Sequence, residues 1–391
     1  MPHIAVKDFK EFETPKRVGD FEFLWFAKPL KRAKETLVAV KKGNESFLLE
    51  IHKKGEKYII KSDKITRISP LYVVKEALKT FCDEAKCQVL YDNLSTIKPS
   101  HAAKAKDYLK DIEFFINSFP KDKEVWIEVG FGSARHLLYQ AQHNPDKLFI
   151  GIEIHKPSIE QALKQIALKK LDNVLLIDYD ARLFLEFVPS NIVGKIFVHF
   201  PVPWNKKPHR RVISKGFIKE SERVLKKGGT LELRTDSKAY FDYSLELFLD
   251  QKQVDLKVLK NIPNPVSSKY EDRWVRLGKD IYDIKMISSV ISQELDTSYP
   301  FEFESVEFST HLVDSFESTP RVYEDFFIHF EKLYQIDESK LLLELSFGSF
   351  DRPEHKYILI DKEGARYFPK KPVASGANIK AHKKIEELLN E

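Results

Sequence analysis

The stretch EVWIEVGFG, residues 124–132, constrains this chain more than any other. Val125, Trp126, Ile127 and Val129 make a short apolar run with β-branched and aromatic members, Gly130 and Gly132 come next, and residues 133–144 carry helical spacing. The pattern predicts a strand, a glycine turn and a helix. Glycines at such a turn let a ligand approach the backbone closely, and Glu128 stands at the carboxyl edge of the strand, beside the same crevice. The third glycine of the dinucleotide fingerprint is missing, so the turn by itself does not separate a nucleotide-type site from a plain crossover.

The chain beyond residue 123 strengthens the case for a site. Strand-like runs at 123–129, 148–154, 173–178, 195–200 and 230–235 alternate with helical segments at 133–144, 158–170 and 214–226. Alternation of this kind predicts a largely parallel, doubly wound sheet with right-handed crossovers. Ser158 with Gln161 reads as a capping box, Gly228-Gly229 as the end of the third helix, and a helix near 238–250 with a closing strand near 274–286 completes the domain.

At 391 residues the chain exceeds one ordinary core. The flanks read as two smaller α+β appendages: residues 1–97, β-rich with a helix at 71–81, and residues 293–391, where SYPFEFESVEFS alternates like a strand and HKYILIDKEGARYF reads as a hairpin. Residues 98–122 form a linking helix and 123–292 the central domain, while KYIIKSDKITRIS (57–69) and KYILIDKEGARYF (356–368) look faintly alike. A content of 42% hydrophobic and 31% charged residues is that of a soluble globular protein. No run of about 18 apolar residues and no secretory signal is visible, so a cytoplasmic location away from membranes is expected. Cys82 and Cys87 read as ordinary reduced thiols, and no metal site is expected. The net charge of +5 is small, but KKPHRR at 206–211 concentrates cations in one place.

In an open parallel sheet, ligands sit beyond the carboxyl ends of the strands. The residues closing successive strands here are Glu128, Glu153, Asp180, the run Phe200-Pro201-Val202-Pro203-Trp204, and Asp236. Glu153 lies about 20 residues past the glycine turn, where an acid can accept both hydroxyls of a ribose. A turn without the third glycine fits a ligand lacking a pyrophosphate, which favours S-adenosylmethionine over NAD.

The segment resembles the tRNA (guanine-N7)-methyltransferases. The resemblance rests on EVGFG at 128–132, FIGIEIHKPSI at 149–159, DYDAR at 178–182, FPVPWNKKPHRR at 200–211, KKGGTLELRTDSKAY at 226–240 and SKYEDRWVRLG at 268–278, and covers roughly residues 115–290. It implies a Rossmann-like S-adenosylmethionine-dependent fold that methylates N7 of a tRNA guanosine, in the variable loop. It places Glu128, Gly130, Gly132, Glu153, Asp180 and Val202 around the donor, with Glu153 at the ribose and Asp180 near the adenine amine. It likewise assigns Lys206, Asp236, Ser268, Lys269, Tyr270 and Glu271 to the guanosine and its surrounding RNA. One position departs from the pattern: Val202 stands where the family usually has Asp.

Guanine N7 carries a free lone pair, so no base is needed to remove a proton from it. Methyl transfer requires in-line placement and negative potential for the cationic purine it forms. Asp236 and Glu271, facing the N1–H and N2–H₂ edge, supply both and are the expected catalytic pair. Arg135 and His136 are expected on the surface, and His199 is expected as a core histidine. Lys28, Lys31, Arg32, Lys34, Lys370, Lys371 and Lys380 on the flanks would widen an RNA-binding surface. The rivals are a methyltransferase for another RNA or a small molecule, and an RNA-binding protein with a vestigial donor pocket.

Overall fold

Short strand-forming runs broken by turn residues fold the first part of the chain as an antiparallel meander. The computed structural model describes residues 2–68, 71–94, 107–266, 269–294, 299–350 and 352–391. In chain order come β1 (His3–Val6), β2 (Lys16–Val18), β3 (Phe21–Lys31), β4 (Glu35–Lys42), β5 (Glu45–Lys54), β6 (Lys57–Ser62), α1 (Leu71–Glu84) and β7 (Val89–Asp92).

The central unit, Pro99–Thr297, then runs β8 (Leu109–Lys110), α2 (Ile112–Asn117), β9 (Glu124–Val129), α3 (Arg135–His143), β10 (Lys147–Ile152), α4 (Lys156–Lys169), β11 (Val174–Ile177), α5 (Ala181–Phe184) and β12 (Val193–His199). It closes with α6 (Lys215–Val224), β13 (Leu225–Thr235), α7 (Lys238–Leu249), β14 (Asp255–Lys260), α8 (Lys269–Arg276) and β15 (Tyr282–Ile287). Its sheet has the order β14-β15-β13-β12-β9-β10-β11-β8, parallel except for β14 and β15. Strand order reverses between β9 and β12, so the crevice of an open sheet lies outside their carboxyl ends. Gly151 in β10 lets α3 pack closely on the sheet: a Cβ there would stand 2.7 Å from the Leu137 side chain and 2.9 Å from that of Leu176.

After the central unit come α9 (Thr310–Asp314), β16 (Arg321–Val322), β17 (Phe327–Asp337), β18 (Lys340–Gly348), β19 (Glu354–Asp361), β20 (Gly364–Phe368) and α10 (Gly376–Asn390). These do not form a second appendage. Met1–Lys98 and Ser298–Glu391 fold as one compact unit, its sheet running β20-β19-β18-β17-β3-β4-β5-β6-β1-β7, with β3 and β17 antiparallel at the seam. Either side of that seam repeats one plan: a short strand paired to a long one (β2 to β3, β16 to β17), three further meander strands, then a helix. Each half buries its own core under its own helix, Phe23, Phe47 and Phe81 with α1, and Phe347, Tyr367 and Ile385 with α10. By this plan β6 corresponds to β20, so the likeness of 57–69 to 356–368 joins non-equivalent strands.

Several local expectations change. Phe301 and Val306 of SYPFEFESVEFS are buried in the C-terminal core, but residues 299–309 are in no strand; alternation signals one buried face, which an irregular segment also satisfies. The helix before Gly228-Gly229 ends at Val224, and both glycines lie in β13, where a Cβ on Gly229 would meet the Gly194 carbonyl of β12 at 3.0 Å. The N-cap of α4 is His155, ahead of Ser158, with Pro157 in the first turn. The single strand expected over 274–286 is the end of α8 and then β15, and the mostly exposed β14, into which Val254, Leu256 and Val258 alternate, was not anticipated.

Candidate active site

The turn after β9 is built from left-handed residues: Gly130 at φ +66°, Gly132 at +50° and Ala134 at +57°, the last capping α3. Glu153, one residue past β10, holds this turn. Its carboxylate accepts the Gly132 N–H at 3.0 Å through one oxygen and the Ile154 and His155 N–H groups at 2.9 and 3.0 Å through the other. Asp180 caps α5, accepting the Arg182 N–H at 3.0 Å and pairing with the Arg182 guanidinium at 2.7 Å. Glu128 is buried in β9, where the register sets it between Gly151 of β10 and Phe197 of β12. Its Oε2 lies 2.7 Å from His136 Nδ1. The three carboxylates therefore belong to adjacent strands, but each is held by a different partner: Glu153 is joined directly to the glycine turn, Glu128 to α3, and Asp180 to its own helix.

Arg135 and His136 part company. Arg135 is exposed and pairs with Asp272 at 2.9 Å, while His136 is buried rather than on the surface. The helical period explains the difference: position 136 falls on the face that α3 turns toward the sheet together with Leu137.

On the other side of the switch, the loop after β12 carries two strained residues, Phe200 at φ +51° and Trp204 at +43°. Arg211 donates from Nε to the Pro203 carbonyl at 2.8 Å, and its guanidinium lies 4.3 Å from the Tyr243 ring centre. It is thus buried and holds the loop rather than facing solvent, whereas Lys206 and Arg210 are exposed and Arg210 stacks on Trp204 at 5.1 Å. Val202 is 61% exposed on the same loop.

Asp236, just past β13, pairs with Lys279 at 2.8 Å. Arg234, two residues earlier and 3% exposed, grips Asp283 at 2.6 and 2.7 Å, the Ile262 carbonyl at 2.9 Å, and Glu271 at 2.7 Å. Glu271 is buried, so α8 is pinned to the sheet through its carboxylate. Burial pushes the Asp283 carboxyl up more than Arg234 pulls it down. Ser268 lies outside the described residues; Lys269 and Tyr270 open α8, and their side chains lie outside the described ones. Beside this cluster is an open cleft of about 920 Å³ whose lining includes Arg234, Asn264, Glu271, Arg276 and Lys279.

A family model described as a putative methyltransferase matches residues 122–284. The chain is 42% identical over 393 residues to the tRNA (guanine-N(7)-)-methyltransferase of Wolinella succinogenes, covering 100% of both. It is 38% identical to that of Campylobacter fetus, over 100% of this chain and 99% of the relative. This chain belongs to the tRNA (guanine-N7)-methyltransferase family. Among solved structures, an antibiotic-related methyltransferase is similar at 21% identity and a TM-score of 0.35, covering 50% of this chain and 97% of that one.

Membership implies S-adenosylmethionine as methyl donor and a Rossmann-like fold for the unit that carries it. The residues present fit that donor. A Cβ on Gly130 would meet no atom within 4 Å, so the turn is open where a ligand would lie, and Glu153 sits at the strand end beside it. A carboxylate has about four lone-pair sites, and the three backbone donors on Glu153 leave capacity for a hydroxyl. Sequence reasoning did not anticipate the residues that hold the expected carboxylates in this tRNA methyltransferase: His136 on Glu128, Arg234 on Glu271 and Lys279 on Asp236. For Arg234 the pattern pointed the opposite way: Leu231-Glu232-Leu233-Arg234 alternates and reads as an arginine on a solvated face, whereas the fold buries it.

Proposed function

We propose that this chain transfers a methyl group from S-adenosylmethionine to N7 of a guanosine in tRNA, the variable-loop guanosine being the implied target. The observation that carries the reading is the division of labour across the β9/β12 switch: a glycine turn held by Glu153 on one side, and carboxylates anchored by Arg234 and Lys279 on the other.

When bound, S-adenosylmethionine supplies an electrophilic methyl on a sulfonium. Glu153 orients the donor ribose, and Asp180, already fixed by Arg182, stands near the adenine amine. Asp236 and Glu271 accept hydrogen bonds from the guanine N1–H and N2–H₂ edge and offset the positive charge that N7 methylation leaves on the ring. Arg234 and Lys279 hold those carboxylates ready, so little reorganisation is needed as charge develops. Lys206 and Arg210, exposed beside the crevice, meet RNA phosphates, and binding should weaken steeply with salt. Because N7 lies in the deep major groove of A-form RNA, the target base must be unstacked. Val202 removes a carboxylate without removing the acceptor pair, so activity is retained.

Labelled S-adenosylmethionine incubated with protein and bulk tRNA should yield 7-methylguanosine on nucleoside mapping. Asp236→Ala and Glu271→Ala should each lower the rate at least about tenfold, the cost of one preorganised interaction. Near-full rate in both would sink the assignment of the acceptor pair, and another product nucleoside would sink the substrate.

A further inference from the structure

Glu128 is a buried carboxylate, and such a group needs a fixed partner. That partner, His136, is itself buried. His136 meets Glu128 through Nδ1 at 2.7 Å and Gln140, one helical turn on, through Nε2 at 3.2 Å. Two residues of β12 that share a face clamp its ring, Phe197 edge-on at 4.8 Å and His199 at 4.5 Å. These four contacts hold the buried imidazole with Nδ1 facing the carboxylate.

We propose that His136 is a positioning residue for methyl transfer, locking the Glu128 carboxylate in the orientation that the donor requires. The proposal rests on the donor site assigned above. His136 acts through Glu128, and the bond it makes occupies one oxygen of that carboxylate and leaves the other for the donor.

The surrounding charges decide which ring carries a proton. Burial pulls the His136 pKa down, but Glu128 from β9, and then Glu232 from β13 and Glu271 from α8, more than offset it and leave it raised. His199 is pushed well below its ordinary range by burial, then by His136, Arg234 and Lys285. His136 Nε2 accepts from the Gln140 amide, so the ring is the Nδ1–H tautomer; of the two rings His136 is the one that takes up a second proton more readily as pH falls, while His199 resists it. Because the His136 pKa is raised, its charge on Glu128 is present below that pKa and lost as pH rises through it, while the Nδ1–H bond persists.

The test compares His136→Asn, whose amide nitrogen stands where Nδ1 stood, with His136→Ala. In His136→Ala the KM for S-adenosylmethionine should rise about tenfold, the loss of a charged hydrogen bond, with kcat less affected and the KM for tRNA unchanged. His136→Asn should restore most of the affinity and flatten the alkaline fall of kcat/KM for the donor, since it has no proton to lose. An alkaline fall of wild-type size in His136→Asn, or an unchanged donor KM in His136→Ala, overturns the proposal. Donor affinity measured by calorimetry on the same proteins separates the two readings: a wild type that binds the donor but methylates no tRNA defeats the function, and the variants still test His136.

Discussion

Two buried ionic clusters in this molecule use the same chemistry, one cation between two carboxylates, and reach different ends. In the central unit Arg234 joins Glu271 and Asp283 beside the open cleft. In the other unit Lys332 joins Glu35 at 2.6 Å and Glu344 at 3.2 Å across the seam where β3 and β17 meet, and the fully buried Tyr334 closes the cluster, its hydroxyl 2.6 Å from Glu35 and 2.9 Å from Glu344. One hydroxyl hydrogen cannot serve two carboxylates, and burial raises Glu344, so Glu344 is the member that takes up a proton first. A buried charge cluster is therefore not by itself a site. The Lys332 cluster ties residues 297 apart in sequence and stabilises a seam, whereas the Arg234 cluster has a cleft at its side where a ligand can meet it.

The contrast breaks most visibly through Lys332→Met. Leaving Glu35 and Glu344 without their cation should cost about 3 kcal/mol of folding stability, at the low end for a buried pair because Lys332 is partly exposed. Denaturant unfolding should show this loss while kcat of the folded protein stays at the wild-type value; a fall in kcat would mean that the seam is not merely structural. Acid should have an effect of similar size. Burial pushes Glu35 up, but Lys332 and Tyr334 more than offset it and lower its pKa from 4.5 to about 2. Its contribution is complete above pH 4.5 and lost as pH falls toward 2, on the order of 2–3 kcal/mol. In Glu35→Gln the denaturation midpoint should fall less over that window.

Arg234→Met should have the complementary signature. A loss of about 2 kcal/mol of transition-state stabilisation, roughly thirtyfold in kcat/KM for tRNA, is expected, with the KM for the donor little changed. If unfolding shifts but turnover does not, the two clusters are alike after all. The smallest effect sharpens the open side: Val202→Asp, adding a carboxylate on the exposed loop, should raise kcat/KM roughly threefold to tenfold in an initial-rate assay.

Much of the central unit was legible because its signals are local. β9, the glycine turn and the acids closing β10 and β11 each depend on residues within a few positions of one another. The partners of those acids were not legible, since His136 meets Glu128 only through the pitch of α3, and Arg234 meets Glu271 only after α8 folds back over the sheet. The flanks were read as two bodies for the same reason: the pairing of Tyr334 with Pro29 and the ion pair of Lys332 with Glu35 join segments that no sequence window contains together.

That seam also orders events during synthesis. The outer edge of β3 beyond its pairing with β2 leaves the ribosome early, with the groups at Lys28–Lys31 that meet β17 unpaired, and waits until β17 has been made. At about 5–20 residues per second the delay is tens of seconds, during which the contiguous Pro99–Thr297 segment has all that it needs to collapse first. A nascent chain halted before Phe327 should therefore carry a folded catalytic body and an adhesive, half-built sheet that chaperones would recognise.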